Sequence, residues 1–72
     1  MEAYKERMIN EYNELIDRID KLSTIIVKAE NRKLEFELSC PLELLKVQLN
    51  VMKQYRDILI QRATIEHVEL GG

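Results

Sequence analysis

The segment PLELLKVQLNVMKQYRDILIQRATIEH, residues 41–67, carries the most informative hydrophobic pattern in this chain. At about 100° per residue of an α-helix, its apolar side chains cover about 220° of the helix circumference. A surface helix needs an apolar stripe of only about 100° or somewhat more, so this helix must contact more than one neighbour. Pro41 suits its first turn, with Ser39 or Cys40 as N-cap and Glu43 near the positive helix end. We therefore predict a helix over about 41–67.

A narrower apolar stripe precedes this segment and predicts a first helix over about 2–29. Its members alternate steps of four and three residues, which is the heptad period of a helical seam. Two such helices joined by a connector of about 30–40 predict an all-α antiparallel hairpin, and the wide face of the second helix predicts assembly into a homo-oligomeric helical bundle. The first stripe consists of Met8, Tyr12, Leu15, Ile19, Leu22, Ile26 and Ala29.

The connector alternates apolar and polar residues over 31–38, the period of a β-strand. A lone strand would leave its backbone groups unpaired, which favours a short helical turn or an extended arm instead. In either form we expect Leu34, Phe36 and Leu38 to pack on the hairpin. The whole chain, 1–72, is treated as a single helical domain whose tail, 68–72, frays.

Composition limits what can stabilise so short a chain. It has 72 residues, one cysteine and one histidine, so neither an internal disulfide nor a Cys/His metal cluster can supplement the core. Association of subunits is the remaining means. A net charge of −2 argues against binding to duplex nucleic acid. No run approaches the ~18 apolar residues of a membrane span, no export signal is present, and a free thiol fits the cytoplasm.

Catalytic groups do not converge in this sequence. His67 lies near the chain end and is expected to face solvent, and Cys40 has neither a second cysteine nor a nearby histidine. There is no Glu-x-x-His pattern of the kind that holds metals in helical bundles. We expect no enzyme activity, no cofactor and no metal.

Two tyrosines lie inside the apolar stripes, Tyr12 in the first and Tyr55 in the second. The simplest interpretation of either is core packing with the hydroxyl at the edge. Ligand stacking is the alternative, because Lys28, Arg32 and Lys33, with Lys21 and Arg18 earlier, form a basic set near the hairpin turn. Cations beside an aromatic ring suit a nucleotide, although any charged helix carries several lysines and arginines.

The wide face of the second helix is interrupted by Gln48, Arg56 and Arg62. An arginine buried in an assembly needs a carboxylate or an anionic ligand, because an unpaired buried charge is too costly. Glu43 or Glu66 of a neighbouring subunit would be the structural partner. A phosphate would be the functional one.

Five short motifs follow one another between Arg7 and Arg62: Glu11-Tyr12, Lys21-Leu22, Leu44-Leu45-x-x-Gln48-Leu49, Met52-x-x-Tyr55 and Leu59-x-x-Arg62. Their joint order resembles the small phage proteins of the anti-CBASS sponge family. The resemblance implies an all-helical homo-oligomer, typically a hexamer, in the cytoplasm of an infected bacterium. Such proteins bind cyclic di- and trinucleotide second messengers of bacterial immunity and withhold them from their effectors without breaking a bond.

The resemblance also implies a dinucleotide site. Tyr12 matches the family's base-stacking tyrosine on the first long helix. A phosphate-contacting lysine most nearly matches Lys28, at a spacing that differs by about one residue, and Lys21 is the reserve candidate.

A separate trinucleotide site is implied by Arg62, which matches a family arginine. The family has a threonine one turn further on, where this chain has Glu66. Thr64 is close to that place but out of phase with it.

A second function from another class fits the same wide face. The chain could be a non-enzymatic adaptor that grips a host or phage protein as a helix packs in a groove. A sponge predicts a defined homo-oligomer that takes up cyclic nucleotides reversibly. An adaptor predicts a monomer or dimer that is indifferent to them.

Overall fold

A computed structural model describes residues 3–70, and these form an all-α hairpin of two helices with no strand. Helix α1 spans Ala3–Glu30 and helix α2 spans Leu42–Ile65. The hairpin measures 44 × 18 × 18 Å, and a helix of 28 residues at about 1.5 Å per residue accounts for its length. This confirms the predicted all-α helical hairpin. Within residues 3–70, neither helix is long and apolar enough to cross a membrane.

The inner stripe of α1 is the one that the heptad spacing predicts. Met8, Leu15, Ile19 and Ile26 are buried, while Tyr12 is partly buried against the core. Glu6 in the first turn and Lys28 in the last turn place charges of the favourable sign at each end of the helix dipole. The apolar periodicity and the charges at the two ends therefore both favour a helix over this segment.

Helix α1 ends in a Schellman motif. The Arg32 N–H donates to the Ala29 carbonyl over 3.1 Å, and the Lys33 N–H donates to the Lys28 carbonyl over 2.7 Å. Arg32 carries the left-handed conformation that the motif requires, with φ of 57°. These bonds satisfy carbonyls that the helix end would otherwise leave without partners.

The connector has turns and bends but neither helix nor strand. Leu34 and Leu38 are half-buried as predicted, but the prediction for Phe36 is wrong because its side chain is 59% exposed. Alternate residues point to the same side only in a regular strand. The bend at residues 35–36 interrupts that regularity, so Phe36 does not share the side of Leu34 and Leu38.

The predicted N-caps of α2, Ser39 and Cys40, are also wrong. Pro41 itself is the cap residue, with φ −59° and ψ 140°, and no side chain caps the helix. Its carbonyl accepts the N–H of Leu44 over 3.1 Å. The fixed φ of proline is compatible with the cap as well as with the first turn, which shifts the helix start by one residue.

A salt bridge joins the two helices beside the connector. The Lys46 ammonium lies 3.4 Å from a Glu30 carboxylate oxygen and 3.5 Å from one of Glu43. The hydrogen bond and charge of Glu30, with a smaller contribution from Glu43, raise the pKa of Lys46. The pair is solvated, so it fixes register more than it stabilises.

The core of the hairpin lies in two clusters. Leu15 and Ile19 pack on Leu59, which is 0% exposed. Towards the chain ends, Met8 packs on Ala63 and on Val68 from beyond α2. The prediction that the tail frays from residue 68 is therefore wrong for Val68, which is buried. Gly71 and Gly72 lie outside the described residues.

The outer side of α2 carries a stripe of exposed apolar side chains that α1 does not cover. Leu44, Val51, Ile58 and Ile65 lie seven residues apart and are 52–75% exposed. A second line at the same spacing consists of Gln48, Tyr55 and Arg62. We call these seven residues the α2 stripe. Their spacing of four and three residues is that of a coiled-coil seam.

Candidate functional site

Tyr12 borders a depression of about 310 Å³ where α1, α2 and the C-terminal segment meet. The ring is half-buried because it packs against the core cluster of Leu15, Ile19 and Leu59. A tyrosine held in this way presents one part of its ring to solvent in a fixed orientation. No charged side chain lies among the lining residues, which are Tyr12, Ile60, Ala63, Thr64, Val68 and Leu70.

Thr64 lies in the same depression as Tyr12. Its Oγ1 donates to the Ile60 carbonyl oxygen over 3.0 Å, which fixes the hydroxyl close to α2. The family resemblance associates Thr64 with Arg62 and a second site, but these two residues are about 160° apart around α2 at 100° per residue. The structure thus brings Thr64 to Tyr12 and separates it from Arg62.

The two candidate lysines differ in their surroundings. The Lys21 ammonium lies 2.9 Å from an Asp17 carboxylate oxygen, and this hydrogen bond and charge raise the pKa of Lys21. Among residues 3–70, no carboxylate lies within ion-pair distance of Lys28. An anionic ligand would have to compete with Asp17 to bind Lys21. It would face no such competition from residues 3–70 at Lys28.

Lys28 lies in the last turn of α1, far along the helix from Tyr12. The two are on one helix and sixteen residues apart, which is about 24 Å along its axis. Lys28 and Lys33 line a depression of about 210 Å³ at the hairpin turn, with Phe36 at its edge. Part of the predicted basic set, with an aromatic ring, is therefore together, but one chain does not bring it to Tyr12.

Arg62 has a carboxylate partner within its own chain. Its Nε donates to a Glu66 carboxylate oxygen over 3.3 Å, and both side chains are partly exposed. Arg62 thus has the carboxylate partner that the sequence predicts for it, but in the single hairpin this partner is Glu66 of the same chain, one helical turn away, and not Glu66 of a neighbouring subunit.

Arg56 is likewise paired, donating to an Asp57 carboxylate oxygen over 3.2 Å. It faces α1 across a depression of about 410 Å³ that also has Asp17 and Asp20 in its lining. Arg56 therefore lies beside the inner side of α2, away from the α2 stripe, and its charge is balanced within the hairpin.

The single histidine and cysteine lie apart. His67 is exposed and has φ of 57° in the turn that ends α2, and Cys40 is a half-buried free thiol in the connector. Within residues 3–70, no group of three or more His, Cys, Asp or Glu side chains could hold a metal ion.

Val68 and Leu70 are the lining residues that the sequence did not single out. The pattern that could have predicted them is an apolar residue directly after a Schellman turn, which commonly packs against the last turn of the preceding helix. Glycine normally marks that turn, and the presence of His67 in its place concealed it.

Comparison with known proteins identifies a family. A search of curated proteins and a search of solved structures each found no significant match to the chain. The family model described as Sequestin matches residues 2–65, which include both helices completely. The chain therefore belongs to the Sequestin family.

Proposed function

We propose that this protein is a phage-encoded sponge, which binds cyclic di- and trinucleotide immune messengers in the cytoplasm of an infected bacterium and withholds them from CBASS-type effectors. Membership of a family named for sequestration supports binding without catalysis. A sponge needs no converging acid, base or nucleophile. It needs only affinity and enough copies to lower the free concentration of the messenger.

The observation that carries this proposal is the depression beside Tyr12. Its lining is an aromatic ring, a hydroxyl and aliphatic side chains, with no charge. A phosphate would lose its hydration there without compensation, whereas the face of a heterocyclic base suits an aromatic ring. The depression therefore fits the base of a nucleotide.

The phosphates then need cations from elsewhere. Lys28 is the better candidate because its ammonium is not held by a carboxylate of residues 3–70, whereas Lys21 is held by Asp17. The separation of about 24 Å between Tyr12 and Lys28 exceeds the span of a cyclic dinucleotide. We therefore propose that a ligand contacting both lies between two copies of the chain.

The α2 stripe supports self-association, because its exposed apolar side chains are regularly spaced for packing against another helix. The resemblance favours a hexamer. Within the assembly, Arg62 is proposed to hold a trinucleotide at a separate site, where several copies of this arginine would surround one anion. Its own Glu66 competes with that anion.

The test is isothermal titration of the protein with cyclic GMP–AMP, cyclic di-AMP and cyclic tri-AMP. We expect binding, and intact ligand recovered by chromatography after denaturation. Tyr12→Ala should weaken dinucleotide binding by about five- to 150-fold, since base stacking is worth about 1–3 kcal/mol. Tyr4→Ala, at an exposed tyrosine of the same helix, is the matched control.

Absence of heat and of any thermal shift for every nucleotide would reject the sponge. Recovery of linearised ligand would reject binding without catalysis. The exposed α2 stripe favours one alternative, a protein-interaction adaptor. A monomer or dimer that is indifferent to nucleotides would support the adaptor.

A further inference from the structure

The segment that follows α2 folds back onto the hairpin. The Val68 N–H donates to the Ala63 carbonyl oxygen over 2.8 Å, and the Val68 side chain is 8% exposed. Leu70 packs against the same cluster as Val68. The chain after α2 therefore has a defined path across the hairpin.

This path makes one side of the depression beside Tyr12. Val68 and Leu70 belong to its lining, with the Tyr12 ring contributed by α1 and Thr64 by α2. Three separate parts of the chain thus contribute to an open space of about 310 Å³. The C-terminal segment supplies two of the six lining residues.

The hydroxyl of Thr64 has a defined hydrogen-bonding role in this space. Because Oγ1 donates its hydrogen to the Ile60 carbonyl oxygen, it can only accept from any further partner. A base that enters the depression is therefore matched if it presents an N–H edge to Thr64, as the amino group of adenine does.

We propose that the C-terminal segment is a specificity-determining wall of the base site. The base lies between the Tyr12 ring and the side chains of Val68 and Leu70, and an N–H group of the base donates to Thr64 Oγ1. This inference rests on the proposed function. Beyond the proposed function, it identifies the residues that enclose the base and the N–H donor of the base that Thr64 recognises.

The first experiment measures cyclic di-AMP binding by titration calorimetry for Leu70→Ala and for a chain that ends at His67. We expect Leu70→Ala to bind about tenfold more weakly, the loss expected when part of a leucine no longer covers the base. The shortened chain should be weaker still. Leu38→Ala, at a half-buried leucine of the connector, should bind like wild type.

Folding and base recognition are separated by two further measurements. Circular dichroism should show unchanged helix content for Leu70→Ala, and Leu70→Met, which retains apolar volume, should restore binding. Thr64→Val, which keeps the shape of threonine but removes the acceptor, should weaken cyclic di-AMP binding about tenfold or more. Thr64→Ser should retain most of it.

Wild-type affinity in Leu70→Ala and in the shortened chain, both folded, would overturn the wall. Failure of Leu70→Met to restore binding would also overturn it. If wild-type protein binds no cyclic nucleotide, the proposed function fails first and this inference fails with it, so the two failures are distinguishable.

Discussion

The backbone N–H of Val68 is bound to the carbonyl of Ala63 at 2.8 Å, and the two side chains share a buried cluster with Met8. This relationship ties the end of the chain to the start of α1. It depends on His67, which has φ of 57°. The left-handed conformation costs a residue with a Cβ about 1–2 kcal/mol, so the closure retains local strain.

His67→Gly should stabilise the fold. Glycine adopts a positive φ without steric cost, and we expect about 1 kcal/mol of added stability, which raises Tm by roughly 4–8 °C in a chain of this size. Thermal denaturation followed by circular dichroism measures it.

The control for this substitution is Gln61→Gly, which places glycine at an exposed position inside α2. It should lower stability by about 1 kcal/mol. A lower Tm for His67→Gly would contradict the strained turn and indicate that the imidazole itself contributes.

Arg62→Ala should abolish cyclic tri-AMP binding and leave cyclic di-AMP binding intact. Arg62 lies on the α2 stripe, and Thr64, on another side of α2, borders the base depression. Titration with both nucleotides decides the point. Equal loss of both affinities would contradict two separate sites.

Glu66→Thr tests the competition for Arg62 directly. The Glu66 carboxylate accepts from Arg62 Nε at 3.3 Å, and its removal frees the guanidinium for an anion. We expect tighter cyclic tri-AMP binding, by up to about tenfold, the scale of one charge-assisted hydrogen bond. Unchanged affinity would show that Glu66 does not compete.

Lys28→Ala should weaken cyclic di-AMP binding more than Lys21→Ala does, because Asp17 holds the Lys21 ammonium at 2.9 Å. A loss of at least tenfold fits one charged hydrogen bond to phosphate. A larger effect of Lys21→Ala would reverse the assignment.

Assemblies that contain two different variants test whether two copies of the chain share one dinucleotide site. If Tyr12 and Lys28 of different copies contact one ligand, assemblies refolded from a mixture of Tyr12→Ala and Lys28→Ala chains should regain a fraction of wild-type sites. Each variant alone should not. No recovery in the mixture would argue against a shared site.

Ile58→Glu should break self-association, since it places a charge in the middle of the α2 stripe, where Ile58 is 52% exposed. Light scattering coupled to size-exclusion chromatography should show a smaller species. Lys53→Glu changes charge on another exposed part of α2 and should leave the mass unchanged. An unaltered mass for Ile58→Glu would place the interface elsewhere.

Sequence periodicity predicted the hairpin well because each helix has a stripe whose burial follows from the period alone. Met8, Leu15 and Ile19 are buried as their spacing requires. Local backbone choices were harder. Pro41 fits both a cap and a first turn, and nothing in the sequence marks His67 as a residue that accepts a positive φ.

The candidate site was only partly predictable for a different reason. Tyr12 stood out because a polar ring interrupts an apolar seam. Its meeting with Thr64 depends on which sides of two helices face each other, and its contact with the tail depends on one turn after α2. The pairing of Arg62 with Glu66 could have been found from their spacing of four residues.

The α2 stripe has a further consequence for dosage. Leu59 and Ala63 are the only residues of α2 that are fully buried in the single hairpin, and much of the apolar surface of that helix stays exposed. In an assembly that covers the stripe, folding is linked to mass action, and thermal resistance rises with the amount of protein made. The amount of ligand bound would then rise faster than linearly with protein concentration. At low concentration few chains would be assembled and little ligand would be bound, and a modest increase in concentration would raise binding steeply.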